Sequence, residues 1–376
     1  MFGANWNQNM NNNNNFFNFN NAFNFNCPLK VIKNQIMING IYEPSSINSV
    51  LQAFGSLTYL NVWLKFLESN TQQIIFGNKI IAKEFYNLFS TLYTGQIPDS
   101  SSLINNYINK YKTTYKGNIK QDPYHFLFYL LDFLHMETNS QYNPNYNVNI
   151  LSTQSLNNKK NSSFMYNLFS DFLKQTQNSI VSNYFYNILG YKLYCPCCNT
   201  TTYFYQYKFI IKFNLDDFLK YRNQCYPYKS NTNLTLDDCF DCYTGNYNIQ
   251  CTTDGCFNAK LCCSFVSSPK VLIIALIRSL HTYKNDLNFG ESININNYFQ
   301  SGQNNFNNVY YNLKACVGLN NFGKYFTDVK MNNTWYRFYG NQSSMINSNN
   351  IYIYEPQILI YELNEMNFKN FGWGFY

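Results

Sequence analysis

Charge is what this chain has least of. Only 12% of its 376 residues are Asp, Glu, Lys or Arg, about half the usual quarter. The net charge of +7 is modest for the length. The lysines are spread out, form no basic block, and no nucleic-acid recognition motif accompanies them, so they read as ordinary solvated side chains and support no nucleic-acid partner. Long apolar runs are missing as well. The most apolar one, Val271 to Ile277, is far shorter than the ~20 residues of a membrane helix, so no membrane span is expected. It follows Ser-Pro and is β-branched, the signature of a buried strand. A secretory signal is also lacking, because the first 26 residues are polar Asn broken by Phe. These absences point to an intracellular chain, cytoplasmic or nuclear, where thiols stay reduced. Histidine is scarce too: there are three, His125, His135 and His281.

What is present is bulk. Hydrophobic residues make up 45% and aromatics 19%, enough for a large core. Asn and Tyr stand where charges usually would. Residues 1–27 open the chain as an Asn/Phe-rich low-complexity tail that cannot build a core and is expected to be disordered alone. Its spaced Phe residues suit docking on a partner. The aromatic tail 365–376 has the same flavour.

Between the tails, helices come first. Residues 47–70 read as one helix, with Ile47, Val50, Leu51 and Phe54 at helical spacing. A second covers 79–93, a third starts at Pro123 and runs to about His135, and a short one follows at 164–176, after a variable Asn/Ser-rich stretch. The second half turns to strands: YKLYCPC, TTYFYQYKFIIKFNL, KVLIIALI, YYNLKACVGL, FTDVKM, TWYRFY and PQILIYEL. Helices then strands, without βαβ alternation, predict an α+β fold.

Two cysteine pairs stand apart from the other thiols. Cys195 and Cys198 share one turn, and Cys251 and Cys256 share another. Four thiolates from two turns between strands suit a tetrahedral, structural Zn2+ with no open position. The second spacer is longer than the commonest one, and Cys197 competes as a ligand. Zinc is the favoured reading of the two pairs; buried free thiols are the alternative, and the expected state of Cys239, Cys242, Cys262, Cys263 and Cys316.

Four blocks, in order, resemble the ubiquitin-specific protease family of deubiquitinases. Ser45-Ser46-Ile47-Asn48-Ser49-Val50-Leu51-Gln52 resembles its Cys box, N-x-G-N-T-C-Y-M-N-S-x-L-Q. Lys120 to His135, KQDPYHFLFYLLDFLH, resembles its Q-Q-D-A-x-E-F-L helix. Cys195 to Arg278 is similar to the zinc-bearing fingers and the P-x-V-L-x-I-x-L-x-R-F strand. The stretch from YYNLKACVGL to PQILIYEL is similar to the His box, with its G-H-Y and W-Y-x-F-D-D elements. The resemblance spans about residues 28–364. It implies a papain-like cysteine protease fold of fingers, palm and thumb, with the thumb at about 40–190, zinc-ribbon fingers at about 191–265 and the palm at about 266–364.

The same alignment removes the chemistry. A cysteine protease needs a thiolate, an imidazole to activate it and a group to orient that imidazole. The nucleophile position is Ser45, the histidine position Lys324, the orienting Asp position Tyr339, and the oxyanion-hole Asn position Gly40. A Ser45–Lys324 dyad is the one rescue to weigh, but serine is a poor nucleophile, and a lysine base needs strong burial. The resemblance further implies that Asp122 and His125 occupy the positions contacting ubiquitin's basic tail. With a Glu lost to His125 and Lys324 added, weak ubiquitin binding is expected. The resulting expectation is a catalytically inactive pseudoenzyme acting as a scaffold subunit among protein partners. The alternatives are a ubiquitin-binding module and a deubiquitinase using unrecognised residues. For Ser45 and Ser46 the expected remaining task is to cap the helix they open.

Overall fold

The computed structural model describes residues 30–33, 37–38, 41–42, 45–69, 76–116, 122–140, 162–251, 255, 257–278, 287–300, 309–352 and 355–364. Both tails, Gly40, Cys256 and His281 lie outside them.

Met37–Ile38 (β1) and Ile41–Tyr42 (β2) pair as a short antiparallel hairpin leading into Ser45–Gly55 (α1). That helix buries Ile47, Val50, Leu51 and Phe54 on the expected stripe. The predicted single helix over 47–70 is in fact two, broken at Ser56–Leu57, with Thr58–Ser69 forming α2. The break has a tertiary cause. Glu362, buried in the sheet below, accepts the Tyr59 N–H at 3.2 Å. Lys314 reaches both Glu362, at 3.4 Å, and Thr58 Oγ1, at 3.3 Å. A carboxylate at a helix N-terminus satisfies orphan donors and the local dipole, so a new helix starts there.

Ile80–Tyr93 (α3) forms as expected. Ser101–Tyr115 (α4) was not foreseen, because its buried stripe of Leu103, Ile104, Tyr107 and Tyr111 is half tyrosine and interspersed with Asn and Lys. Pro123–Thr138 (α5) starts at its Pro with Asp122 as N-cap, the Oδ1 accepting the Tyr124 N–H at 3.1 Å. Ser162–Thr176 (α6) and Ile180–Phe185 (α7) complete the first half, the latter opened by a Ser179/Ser182 capping box.

Strands follow. Asn187–Cys195 (β3) and Thr200–Lys208 (β4) form a hairpin. The run predicted as one strand, TTYFYQYKFIIKFNL, divides at Phe209–Ile210, and Ile211–Asn214 (β5) joins a different sheet. Leu215–Cys225 (α8), Leu234–Thr235 (β6) and Leu236–Thr244 (α9) then pack beside that second sheet. The chain returns to the first one with Asn246–Ile249 (β7) and Ala259–Ser267 (β8), giving the order β4-β3-β8-β7.

Leu287–Asn288 (β10) pairs with β6 as a separate two-stranded sheet, whereas Val271–Ile277 (β9), Ser292–Asn294 (β11), Tyr310–Leu319 (β12), Tyr325–Met331 (β13), Thr334–Tyr339 (β14), Gln342–Ile346 (β15) and Glu355–Leu363 (β16) enter the larger sheet. Among the described residues its order is β15-β14-β13-β12-β16-β9-β5, with β11 beside β12.

This sheet is covered on both faces. Val271, Ile273 and Ala275 join the helices of the first half, including α1, α3 and α5. Leu272, Ile274 and Leu276 join residues of α8 and α9. A strand buried on both faces needs no polar alternation, hence the unbroken apolar run noted in the sequence. One charged pair is embedded here. Asp328 on β13, fully buried, accepts two 2.7 Å bonds from Arg337 opposite it on β14. Gly318 is required for packing, since a Cβ there would enter the Phe326 ring.

Candidate functional site

The N-terminus of α1 meets the β12–β13 turn. Ser45 Oγ accepts the backbone N–H of Tyr325 at 3.1 Å, so the two blocks at opposite ends of the sequence are in contact. The cap expected of Ser45 or Ser46 is not among the described hydrogen bonds; the Ser45 hydroxyl serves the joint with β13 instead. Thr327 on β13 adds a second tie, donating to the Ser49 carbonyl at 2.6 Å in a buried position.

The other sequence-predicted positions spread around this joint. Lys324 is exposed, and its backbone is closed into the turn by Asn320: the Lys324 N–H donates to Asn320 Oδ1 at 2.9 Å, and its carbonyl accepts the Asn320 N–H at 3.0 Å. Tyr339 ends β14 opposite Gln342, half-buried. Gly340, at φ +54°, lines a cavity of about 30 Å³ with Ser45, Asn48, Tyr325 and Phe338. That volume accommodates roughly one water; neither Tyr339 nor Lys324 lines it.

A strap not foreseen from the sequence forms part of the cavity wall. Val31 and Ile32 line it too, held by the Gln52 amide, which accepts the Ile32 N–H at 3.0 Å and donates to the Lys30 carbonyl at 3.3 Å. Gln52 was legible as the last residue of the first block, but not as the anchor of a segment twenty residues upstream.

Asp122 and His125 both sit in the first turn of α5, half-buried. Asp122 uses Oδ1 to cap its own helix. His125 lies among tyrosines: its Nε2 is 3.2 Å from the Tyr111 hydroxyl, and its ring packs at a tilt against those of Tyr111 and Tyr129. His135 is committed inside the helical half, with Nδ1 2.6 Å from Ser179 Oγ and Nε2 3.2 Å from the Tyr186 hydroxyl. Burial pushes its pKa below the usual imidazole range. Both imidazoles among the described residues are therefore engaged away from Ser45.

The thiols divide into two kinds. Cys239, Cys242 and Cys316 are buried as expected, whereas Cys262 and Cys263 are only half-buried, in a stretch of β8 that is half-buried on both faces. Desolvation pushes Cys239 and Cys316 well up, Cys242 to about 12 and Cys263 to about 11. These four stay protonated at neutral pH, unlike a primed nucleophile.

Cys195, Cys198 and Cys251 form the other kind. Cys195 ends β3, Cys198 follows in the turn before β4, and Cys251 comes just after β7. Their sulfurs all lie within 4.8 Å of one another, with Cys198 and Cys251 3.7 Å apart. Two thiolates on one zinc, each bonded at about 2.3 Å, stand about 3.8 Å apart in a tetrahedron, so the spacing fits. Cys195 and Cys251 are buried against Ala259, Leu193 and Ile249. The competing Cys197 is exposed and stands outside the cluster, 3.9 Å from the Asn258 amide.

Residues 44–361 match the model of the family described as ubiquitin carboxyl-terminal hydrolase. No curated protein sequence matches the chain. Solved structures do. A SAGA DUB module of Ubp8, Sgf11, Sus1 and Sgf73 bound to monoubiquitin aligns with TM-score 0.59 and 16% identity, over 87% of this chain and 68% of that one. The Ubp8-Sgf11-Sgf73-Sus1 module aligns with TM-score 0.57 and 17% identity, over 90% and 68%. A yeast SAGA DUB module with an Sgf73 mutant gives 0.58 and 17%, over 87% and 68%. At these identities the likeness is one of fold.

Proposed function

This chain belongs to the ubiquitin carboxyl-terminal hydrolase family, and we propose that it is a catalytically inactive member serving as a scaffold subunit of a larger protein assembly. The observation that carries this reading is the joint at Ser45. The first and last blocks meet, with Ser45 bonded to the residue directly after Lys324, yet Ser45, Lys324 and Tyr339 supply no thiolate, imidazole or carboxylate. Lys324 is exposed, and its backbone is tied into the turn by Asn320. Asp122 and His125 offer little to a cationic ubiquitin tail: one caps its own helix and the other is an imidazole set among tyrosines.

Zn2+ belongs to the same proposal. Cys195, Cys198 and Cys251, with Cys256 as the fourth ligand, would hold it at the tip of the four-stranded sheet. Bound there, zinc supplies a cross-link between two turns that bury little apolar surface, and no reaction chemistry.

Protein partners follow by analogy with the solved assemblies, in which Ubp8 sits among Sgf11, Sus1 and Sgf73. Among the described residues no helix is long and apolar enough to cross a membrane. A fluorogenic ubiquitin substrate tests the reading. No turnover is expected, and turnover abolished by Ser45→Ala would overturn it. Micromolar retention on ubiquitin resin would favour the ubiquitin-binding alternative.

A further inference from the structure

The larger sheet ends in an edge with no visible defence. Strand β15 has no hydrogen-bonded neighbour beyond β14 among the described residues. Residues 342–345 are all exposed, and Met345 retains 69% of its accessible surface. Its sequence, QSSMI, contains neither charge nor proline, the usual means of blocking an edge. The hairpin register determines which amides are free. Tyr339 pairs with Gln342 around a two-residue loop, Arg337 with Ser344, and Trp335 with Ile346. In such a ladder those pairs exchange bonds inward, so Ser343 and Met345 direct their backbone N–H and C=O groups outward.

The described chain begins beside this edge. Lys30 is bonded to Gln52, and Val31 lines the same small cavity as Phe338 and Gly340. Phe338 is the cross-strand partner of Ser343, only about 5 Å away by strand spacing. Asn26 precedes Lys30 by four residues, a reach of about 13 Å.

The sequence upstream alternates with a period of two, broken once, at Asn21. From Phe17 to Asn26 the odd positions are Phe17, Phe19, Asn21, Phe23 and Phe25, and the even ones are Asn18, Asn20, Ala22, Asn24 and Asn26. As a strand, this puts four phenylalanines on one face and none on the other. Such a segment cannot bury its phenylalanines alone, but it can beside a sheet whose outer strand exposes a methionine next to Tyr336. We propose that residues 17–26 add to the free edge of β15 as a further strand of the same molecule, with phenylalanines on the Met345 face.

Hydrogen exchange tests this, with three full preparations compared: the whole chain, a chain starting at Leu29, and the whole chain carrying Asn18→Pro and Asn24→Pro. The peptide spanning Ser343 and Met345 is expected to exchange at least tenfold more slowly in the unaltered chain than in either variant. Peptides from β12 and β16 should be equally protected in all three, which controls for folding. Equal exchange of the β15 peptide in all three would overturn the proposal. Protection that rises with protein concentration would overturn it as well, since the edge would then be covered by a second copy.

Discussion

The Ser45 joint and the tip of the four-stranded sheet are built alike and differ in what their side chains can do. At each, a tight turn is met by residues from far along the chain. At the tip, Cys195, Cys198 and Cys251 bring three soft ligands within 4.8 Å, a set whose natural occupant is a thiophilic cation. At the joint, Ser45, Lys324 and Tyr339 bring a hydroxyl, an amine and a phenol, while Thr327, Gln52 and Ser45 itself bind one element to another. The contacts that assemble the joint are a serine hydroxyl, a threonine hydroxyl and a glutamine amide, each paired with a backbone group.

That contrast can be broken, and the largest effect is expected at the tip. Cys251→Ser should reduce bound zinc from about one equivalent to near none by elemental analysis, and loosen β3, β4, β7 and β8 together in hydrogen exchange. In small zinc domains the metal contributes on the order of 10 kcal/mol of folding free energy. Full folding of the variant with no metal in either protein would remove the contrast.

The buried pair in the palm comes next. Arg337→Met leaves the Asp328 carboxylate enclosed and unpaired, which costs about 3–5 kcal/mol, read as a drop in denaturant midpoint. Burial also outweighs Arg337 and raises the Asp328 pKa to about 6. Since this lies above the ordinary carboxylate value, the folded state holds its proton more tightly than the unfolded one. Its contribution is therefore greatest at low pH and is lost as pH rises toward and through 6. Asp328→Asn should consequently gain stability more steeply than the parent between pH 4 and 6.

At the joint the effects are smaller and concern shape alone. Gln52→Leu leaves the buried Ile32 N–H without its acceptor, at a cost of about 1–3 kcal/mol, with faster exchange confined first to the strap at 30–33. Ser45→Ala removes one hydrogen bond, worth about 1 kcal/mol. A loss several times larger would mean that Ser45 carries more than the joint with Tyr325.

Legibility followed the range of the interactions. The stripe Ile47, Val50, Leu51 and Phe54 and the apolar run Val271–Ile277 declared helix and strand because burial imposes its period locally. The break between α1 and α2 was hidden, because its cause is Glu362, three hundred residues away. Strand β15 was hidden because exposed polar residues on an edge carry no alternation. Helix α4 was hidden because tyrosines did the work of leucines.

The sequence by itself determined the order of most helices and strands, the two cysteine turns and the identities at the four positions that align with the family's catalytic ones. Those are matters of local periodicity, spacing and side-chain chemistry, readable one segment at a time. Only the tertiary structure decided that Ser45 bonds to Tyr325, that a strap at 30–33 lines the cavity beside it, and that the Cys195, Cys198 and Cys251 sulfurs come within 4.8 Å of one another. Each of those depends on which distant backbones the two buried faces of the palm sheet draw together, and no single segment encodes that meeting.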